Sequence, residues 1–201
     1  HPWSLPQGIK KHLDLDSGND RGRVWRIVPN GFERPTLPRL GDASLKELVS
    51  NLSSPNAWLR VTSSRLLFER RDPGAAPDLS RLLAKSTAHL GRLHALYALA
   101  GLGRLETEQL IGALGDKHPV LREHALKLSE PFLVKDSAGK LAKAVLALSK
   151  DASLRVRFQL ALTLGVVSLP NEVFSLLDLL EGISADNFLG VAVVSALSTQ
   201  S

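Results

Sequence analysis

The chain has no cysteine and no methionine, and aromatic residues make up only 5% of its 201 positions. Without cysteine there can be no disulfide, no thiol catalysis, no thiolate metal site and no covalently attached c-type haem within this chain. The scarcity of aromatics beside abundant Leu and Ala favours helix over strand. No apolar run approaches the ~18 residues needed to span a bilayer. The chain opens on His1 rather than an initiator methionine, as expected of an excised or processed piece of a longer polypeptide.

What is present is ordinary in bulk and patterned in detail. The 44% hydrophobic and 22% charged fractions are those of a folded globular protein rather than a disordered one. The net charge of +5 is unevenly placed: residues 1–150 hold 23 Lys/Arg against 15 Asp/Glu, while residues 151–201 hold 2 against 5. The basic residues are interleaved with acidic ones and form no dense run, which argues against a polyanion-binding stripe.

Four segments share one template. Arg60 in PNAWLRVTSSRLLFER, Arg92 in AHLGRLHALYALAGLG, Arg122 in HPVLREHALKLSE and Arg157 in ASLRVRFQLALTLGVV lie 32, 30 and 35 residues apart. A period of that size indicates stacked helical repeats. Six residues before each arginine stands a turn residue: Ser54, Ser86, Asp116 and Asp151. An acid in the turn and an arginine early in the following helix can hydrogen-bond within and between repeats, the planar guanidinium bridging a carboxylate or turn carbonyls. The alternative is a row of exposed arginines reading phosphates or an acidic partner; one arginine per repeat makes a sparse stripe, and the structural ladder is the expectation.

Residues 1–40 differ in kind, with five prolines and four glycines. One candidate strand, Gly22–Pro29, has Val24, Arg26 and Val28 alternating with Arg23, Trp25 and Ile27, and a lone strand needs a partner sheet. The run Asp14–Asp20 has alternating oxygen ligands, yet Gly18 sits fifth rather than sixth and Trp25 stands at the twelfth position, so an Asx-rich turn is expected rather than a calcium loop. Trp3 and Trp25 are expected to pack the leader on the first repeat.

HPWSLPQGIKKHLDLDSGNDRGRVWRIVPNG followed by SSPNAWLRVTSSRLLFERRD resembles the junction in a family of large exported bacterial proteins, the membrane-bound dehydrogenase-like or PVC-type haem-binding proteins. RGRVWRIVP and SPNAWLR are the most specific parts, and the resemblance covers roughly residues 1–167. It implies a sugar-dehydrogenase-like β-propeller before the helical repeats, HEAT repeats, and a cytochrome domain with CxxCH after them, in a periplasmic or extracellular protein. Arg23–Val28 would then be the closing propeller strand. This chain has no propeller and no CxxCH, so the resemblance implies a scaffold role only.

From Asp42 the periodicity is helical. Leu45, Leu48, Val49 and Leu52 follow an i, i+3, i+4, i+7 pattern behind a Ser44–Glu47 capping box. Pro55 is expected in the first turn of a second helix that runs to about Arg71 and stops at Asp72-Pro73-Gly74. Further pairs are expected at Ala76–Lys85 with His89–Leu102 (Leu93, Leu96, Tyr97 and Ala100 inward), Glu106–Leu114 with Pro119–Glu130 closed by Pro131, Ser137–Ser149 with Ser153–Val166, and Asn171–Glu181 with Asp186–Leu197. The expected architecture is all-α: a HEAT/armadillo-like α-solenoid of about five helix pairs over residues 41–201, behind an extended leader at 1–40. Val191–Val194 looks too apolar for a solvent cap, so continuation or self-association is expected there.

No catalytic constellation is legible. The six histidines form no i, i+4 pair and no HExxH, and there is no GxSxG, P-loop or dinucleotide fingerprint. No catalytic residue, metal ligand, cofactor or small-molecule substrate is expected. The expected role is a scaffold or protein-interaction module that binds flanking domains or another protein; the alternative is a glycosylase-type HEAT-like protein binding duplex DNA in a basic groove.

Overall fold

The computed structural model describes residues 4–14, 27–33, 36, 38–135, 137–167 and 188–198. It divides into two compact units, His1–Pro38 and Arg39–Ser201. In the first, the described residues hold one short helix, α1 (Gln7–Lys10), opened by the Pro6 carbonyl accepting from the Ile9 and Lys10 amides. The leader is therefore not extended throughout. Residues 27–29 carry no regular structure; the rest of the candidate strand, Trp3, Trp25 and the Asp14–Asp20 run beyond Asp14 lie outside the described residues, as does the expected helix Asn171–Glu181.

The second unit is all-helical among its described residues. Its α-helices are α2 (Leu45–Asn51), α3 (Ala57–Arg70), α4 (Ala76–Lys85), α5 (His89–Gly101), α6 (Thr107–Leu114), α7 (Pro119–Leu133), α8 (Lys140–Leu146), α9 (Leu154–Val166) and α10 (Phe188–Ser198). Three short 3₁₀ turns supplement them at Leu40–Asp42, Pro73–Ala75 and Ala147–Lys150. Consecutive helices pack as pairs, α2 on α3, α4 on α5, α6 on α7. In the fourth pair the contact with α9 comes from the 3₁₀ turn Ala147–Lys150 that continues α8, while α8 itself packs on α6 and α7. The second members form a row in which α3 touches α5, α5 touches α7, α7 touches α9 and α9 touches α10.

The local rules that set the ends are visible. Ser44 and Glu47 form the reciprocal capping box, Ser44 N–H donating to Glu47 Oε2 at 2.7 Å and Glu47 N–H to Ser44 Oγ at 3.3 Å. α5 ends where Gly103 takes φ +64°, with Gly103 N–H bonded to Ala100 O and Arg104 N–H to Leu99 O. That left-handed residue satisfies two terminal carbonyls and suits glycine. α3 ends less comfortably on Arg71 at φ +49°.

Three local expectations need correction. Pro55 precedes the cap residue Asn56 and lies outside α3; its carbonyl is used instead, as an acceptor for Arg60. Pro131 does not close α7, which runs through it to Leu133. A proline removes one backbone donor, and here the ring lies on the exposed side. Tyr97 points outward, 40% exposed, rather than into the core. Arg70 donates to the carbonyls of Leu40, Gly41 and Ala43 and ties the entering turn to α3.

The core is one continuous cluster running from Leu48 and Leu52 through Leu67, Leu96, Leu121 and Leu160 to Leu189 and Val193. Nearly all of its large members are leucines with no measurable exposure, each contributing about 2 kcal/mol by burial. Because second-row helices have neighbours on two sides, their buried faces are wide: on α5 they include Gly91, Arg92, Ala95, Leu96, Ala98 and Leu99. Gly91 is there for space. A Cβ at that position would stand 2.2 Å from Ser53 Oγ and 3.1 Å from Ser53 Cα.

Candidate interaction surface

The recurring arginine occupies one register. Arg60, Arg92, Arg122 and Arg157 are each the fourth residue of their helix, and each turn residue, Ser54, Ser86, Asp116 or Asp151, stands two positions before the cap. In all four turns that side chain accepts the amide of the cap residue: Ser54 Oγ from Asn56 at 3.1 Å, Ser86 Oγ from Ala88 at 3.2 Å, Asp116 Oδ1 from His118 at 2.8 Å and Asp151 Oδ1 from Ser153 at 2.8 Å. The arginine then folds back on its own turn. Its Nη1 donates to the turn carbonyls, at 2.7 Å to Ser54, Ser86 and Asp116 for Arg60, Arg92 and Arg122 respectively.

The other edge of the guanidinium joins one pair to the next. Arg92 forks onto Asp116, Nε to Oδ2 at 2.8 Å and Nη2 to Oδ1 at 2.9 Å. Arg122 does the same to Asp151 at 2.7 and 2.8 Å. These side chains are 6–15% exposed, so both forks are largely shielded from water. Burial raises the Asp116 and Asp151 carboxyls; the arginine hydrogen bonds, the cap amides and the nearby positive charges outweigh it and hold both below the ordinary carboxylate value. Where the next turn carries Ser86 in place of an acid, the edge is unfilled: Arg60 Nε is buried without a partner. Arg157 Nε is likewise buried and unpartnered among the described residues. Asp116 and Asp151 thus meet the arginine of the preceding pair, while each arginine's own turn supplies only carbonyls.

A different set of residues faces outward. α3 exposes Trp58 (53%), Val61 (60%) and Phe68 (55%) on the side away from buried Ser63 and Leu67, and α5 adds Tyr97. Together with Ser64, Arg65, His94, Ala98, Ala100 and Gly101, the residues Val61, Phe68 and Tyr97 line an open groove of about 570 Å³ between the two helices. Phe68 lies against bare backbone at Gly101, where a Cβ would come within 3.1 Å of its ring. The Arg71 guanidinium sits 5.8 Å over the same ring, and Arg65 pairs with Glu69 on the solvent side. His94 is depressed by burial and by the charge of Arg60, so it is a neutral wall of this groove at neutral pH.

A second cleft, of about 690 Å³, opens between α4 and α6, floored by the Arg92–Asp116 pair and bridged by Gln109 donating to Ser80 at 2.8 Å. Arg92 and Asp116 are engaged with each other, and the lining offers no nucleophile with a base beside it. Among the described residues there is no cluster of three His, Asp or Glu side chains placed to hold a metal, and no helix long and apolar enough to cross a membrane.

The arginine ladder was visible in the sequence; the groove was missed. Its signal was available, because PNAWLRVTSSRLLFER has apolar residues on both faces, Trp58, Val61 and Phe68 alternating around the helix with Leu59, Leu66 and Leu67. No protein-family model matches the chain, and no curated protein matches it.

Proposed function

We propose that residues 41–201 form a HEAT-like α-solenoid acting as a non-catalytic scaffold or protein-interaction module, which spaces and orients dehydrogenase-like and cytochrome domains within a larger exported protein. The single observation that carries this reading is the arginine register. A side chain that satisfies its own turn with one edge and grips the next pair with the other is a joint between stacked repeats. The groove between α3 and α5 supports the interaction part: aromatic and aliphatic side chains in contact with each other and with solvent are the composition of protein-binding patches. The family context and the exported location rest on the resemblance of residues 1–167 alone.

Nucleic-acid binding is the weaker reading, because Arg92 and Arg122 turn their donors into the protein rather than toward a phosphate. Two measurements test the proposal. The complete gene is expected to encode a propeller before this region and a CxxCH segment after it, and the absence of both refutes the dehydrogenase context. A duplex-DNA titration at about 50 and about 200 mM salt is expected to show only weak binding; tight binding that collapses with salt would replace the scaffold reading.

A further inference from the structure

We infer that the seam between α5 and α7 is a proton-sensitive joint, loosened in mild acid when His118 takes up a proton. His118 is the cap residue of α7, and its Nδ1 accepts the Val120 amide at 3.3 Å. An accepting Nδ1 carries no hydrogen, so the neutral ring holds its proton on Nε2 and Nδ1 is the only place for a second one. A backbone N–H can only donate. Protonation therefore sets two donors face to face and removes the cap.

The surroundings favour the neutral ring over the cation. His118 stacks on His89, the first residue of α5, with ring centroids 3.9 Å apart and planes within 5°. Two imidazoliums at that separation repel. Arg92 from α5 and Arg122 from α7 are the other positive groups facing the ring, and the amino end of α7 adds its own positive dipole. Asp116 is the one anion there, and its two oxygens are already taken by the Arg92 fork and by the backbone amide of His118. Burial first, then His89 and the two arginines, hold His118 below the ordinary histidine value against the pull of Asp116.

The second histidine contact on this seam behaves differently. Tyr97 of α5 meets His124 Nδ1 of α7 at 2.7 Å, and a hydroxyl can donate to a neutral ring or accept from a protonated one. Glu123, Lys127 and Arg155 are the charged groups facing His124. That contact survives protonation, so the sensitivity belongs to His118. The turn it caps carries Arg122 four residues on, and loss of the cap loosens the helix turn from which that arginine grips Asp151.

The test is nuclear magnetic resonance on the intact chain. At about pH 7.5 the ¹⁵N shift of His118 Nδ1 is expected in the unprotonated range. Between about pH 7.5 and about pH 5, after correction for intrinsic exchange rates, the amides of Val120, Leu121 and Arg122 are expected to lose protection about tenfold relative to those of α3, the size of a lost helix cap. His118→Asn keeps a capping oxygen and removes the titration, so its amides should hold their protection across the range, whereas His124→Asn should lose it as the parent does. A protonated Nδ1 at neutral pH, unchanged protection in acid, or an equal loss in His118→Asn overturns the inference. Should His118→Asn not fold, the first two measurements on the parent chain decide the matter.

Discussion

Replacing Arg122 with alanine is the sharpest perturbation of the ladder. The substitution removes four hydrogen bonds: two to the Asp151 carboxylate at 2.7 and 2.8 Å, one to Asp116 O at 2.7 Å and a longer one to Lys117 O at 3.3 Å. It leaves Asp151, whose side chain is 6% exposed, with the Ser153 amide as its remaining hydrogen-bond donor among the described residues. Breaking one side of a buried ion pair costs about 3–5 kcal/mol, most of it the stranded charge. The pair is not fully sealed from water, so the expected loss is near the lower end, about 3 kcal/mol, or roughly 10 °C in melting temperature for a unit of this size. Asp151→Ala should cost a similar amount, because it strands the arginine. In the double variant neither charge is stranded, so the two losses should fall short of adding by about 2 kcal/mol. Urea unfolding followed by circular dichroism on the four proteins gives this coupling directly. Additive losses, or an unchanged melting curve for Arg122→Ala, would show that the fork is a surface contact of no energetic consequence.

Four changes of smaller scope follow from the same geometry. Ser86→Asp supplies the acid missing opposite Arg60 Nε while keeping an oxygen for the Ala88 amide, and thermal unfolding should show a gain of about 1 kcal/mol. Arg60→Ala, lacking a fork to break, should cost less than Arg122→Ala in the same assay. Gly91→Ala drives a methyl into Ser53 at both side chain and backbone and should destabilise by about 1–3 kcal/mol, read as a lowered urea midpoint. Asp116 and Asp151 bind protons less readily folded than unfolded, so their contribution is complete above the ordinary aspartate value of 3.8 and is lost as pH falls through their lower folded values; a pH series of melting temperatures should show this decline below about pH 4, separate from the histidine effect nearer neutrality.

Helix positions were legible because leucine spacing and turn residues agree along most of the second unit. Ser44–Glu47, Asp72-Pro73-Gly74 and Gly103 each specify an end by hydrogen bonding or by a backbone angle, and those ends fall within a residue or so of expectation. The two proline errors differ in cause. Pro55 was read for the fixed φ that suits a first turn, yet it precedes the cap and contributes its carbonyl to Arg60; Pro131 was read as a helix stop, yet it is tolerated on an exposed helical face. Tyr97 was placed inward with Leu93, Leu96 and Ala100, whose i, i+3, i+4, i+7 spacing it shares; its ring can lie outward because α7 offers His124 as a partner for the hydroxyl. Which carboxylate each arginine would grip could not be told from spacing, since the acid six residues before and the acid 24 or 29 residues after are equally plausible along the chain. Packing of one pair on the next resolves it, and only the later acid meets the fork.

The two arginine edges also explain why the apolar groove lies where it does. Arg92 and Arg122 are drawn into the turns and across to the next pair, so the outward faces of the second-row helices are left to whatever residues follow them in register. Between α7 and α9 the exposed side carries the Glu123–Arg155 ion pair, a polar link that water tolerates. On α3 and α5 the exposed faces carry Trp58, Val61, Phe68 and Tyr97, and the turn opposite the unpartnered Arg60 Nε carries Ser86 in place of an acid. The α3–α5 junction is therefore apolar on its surface and lacks the charged fork found at α5–α7 and α7–α9. A segment docking across α3 and α5 would bury the exposed rings and brace a junction that has no charged fork, so binding there should raise the stability of the first two pairs above that of the rest.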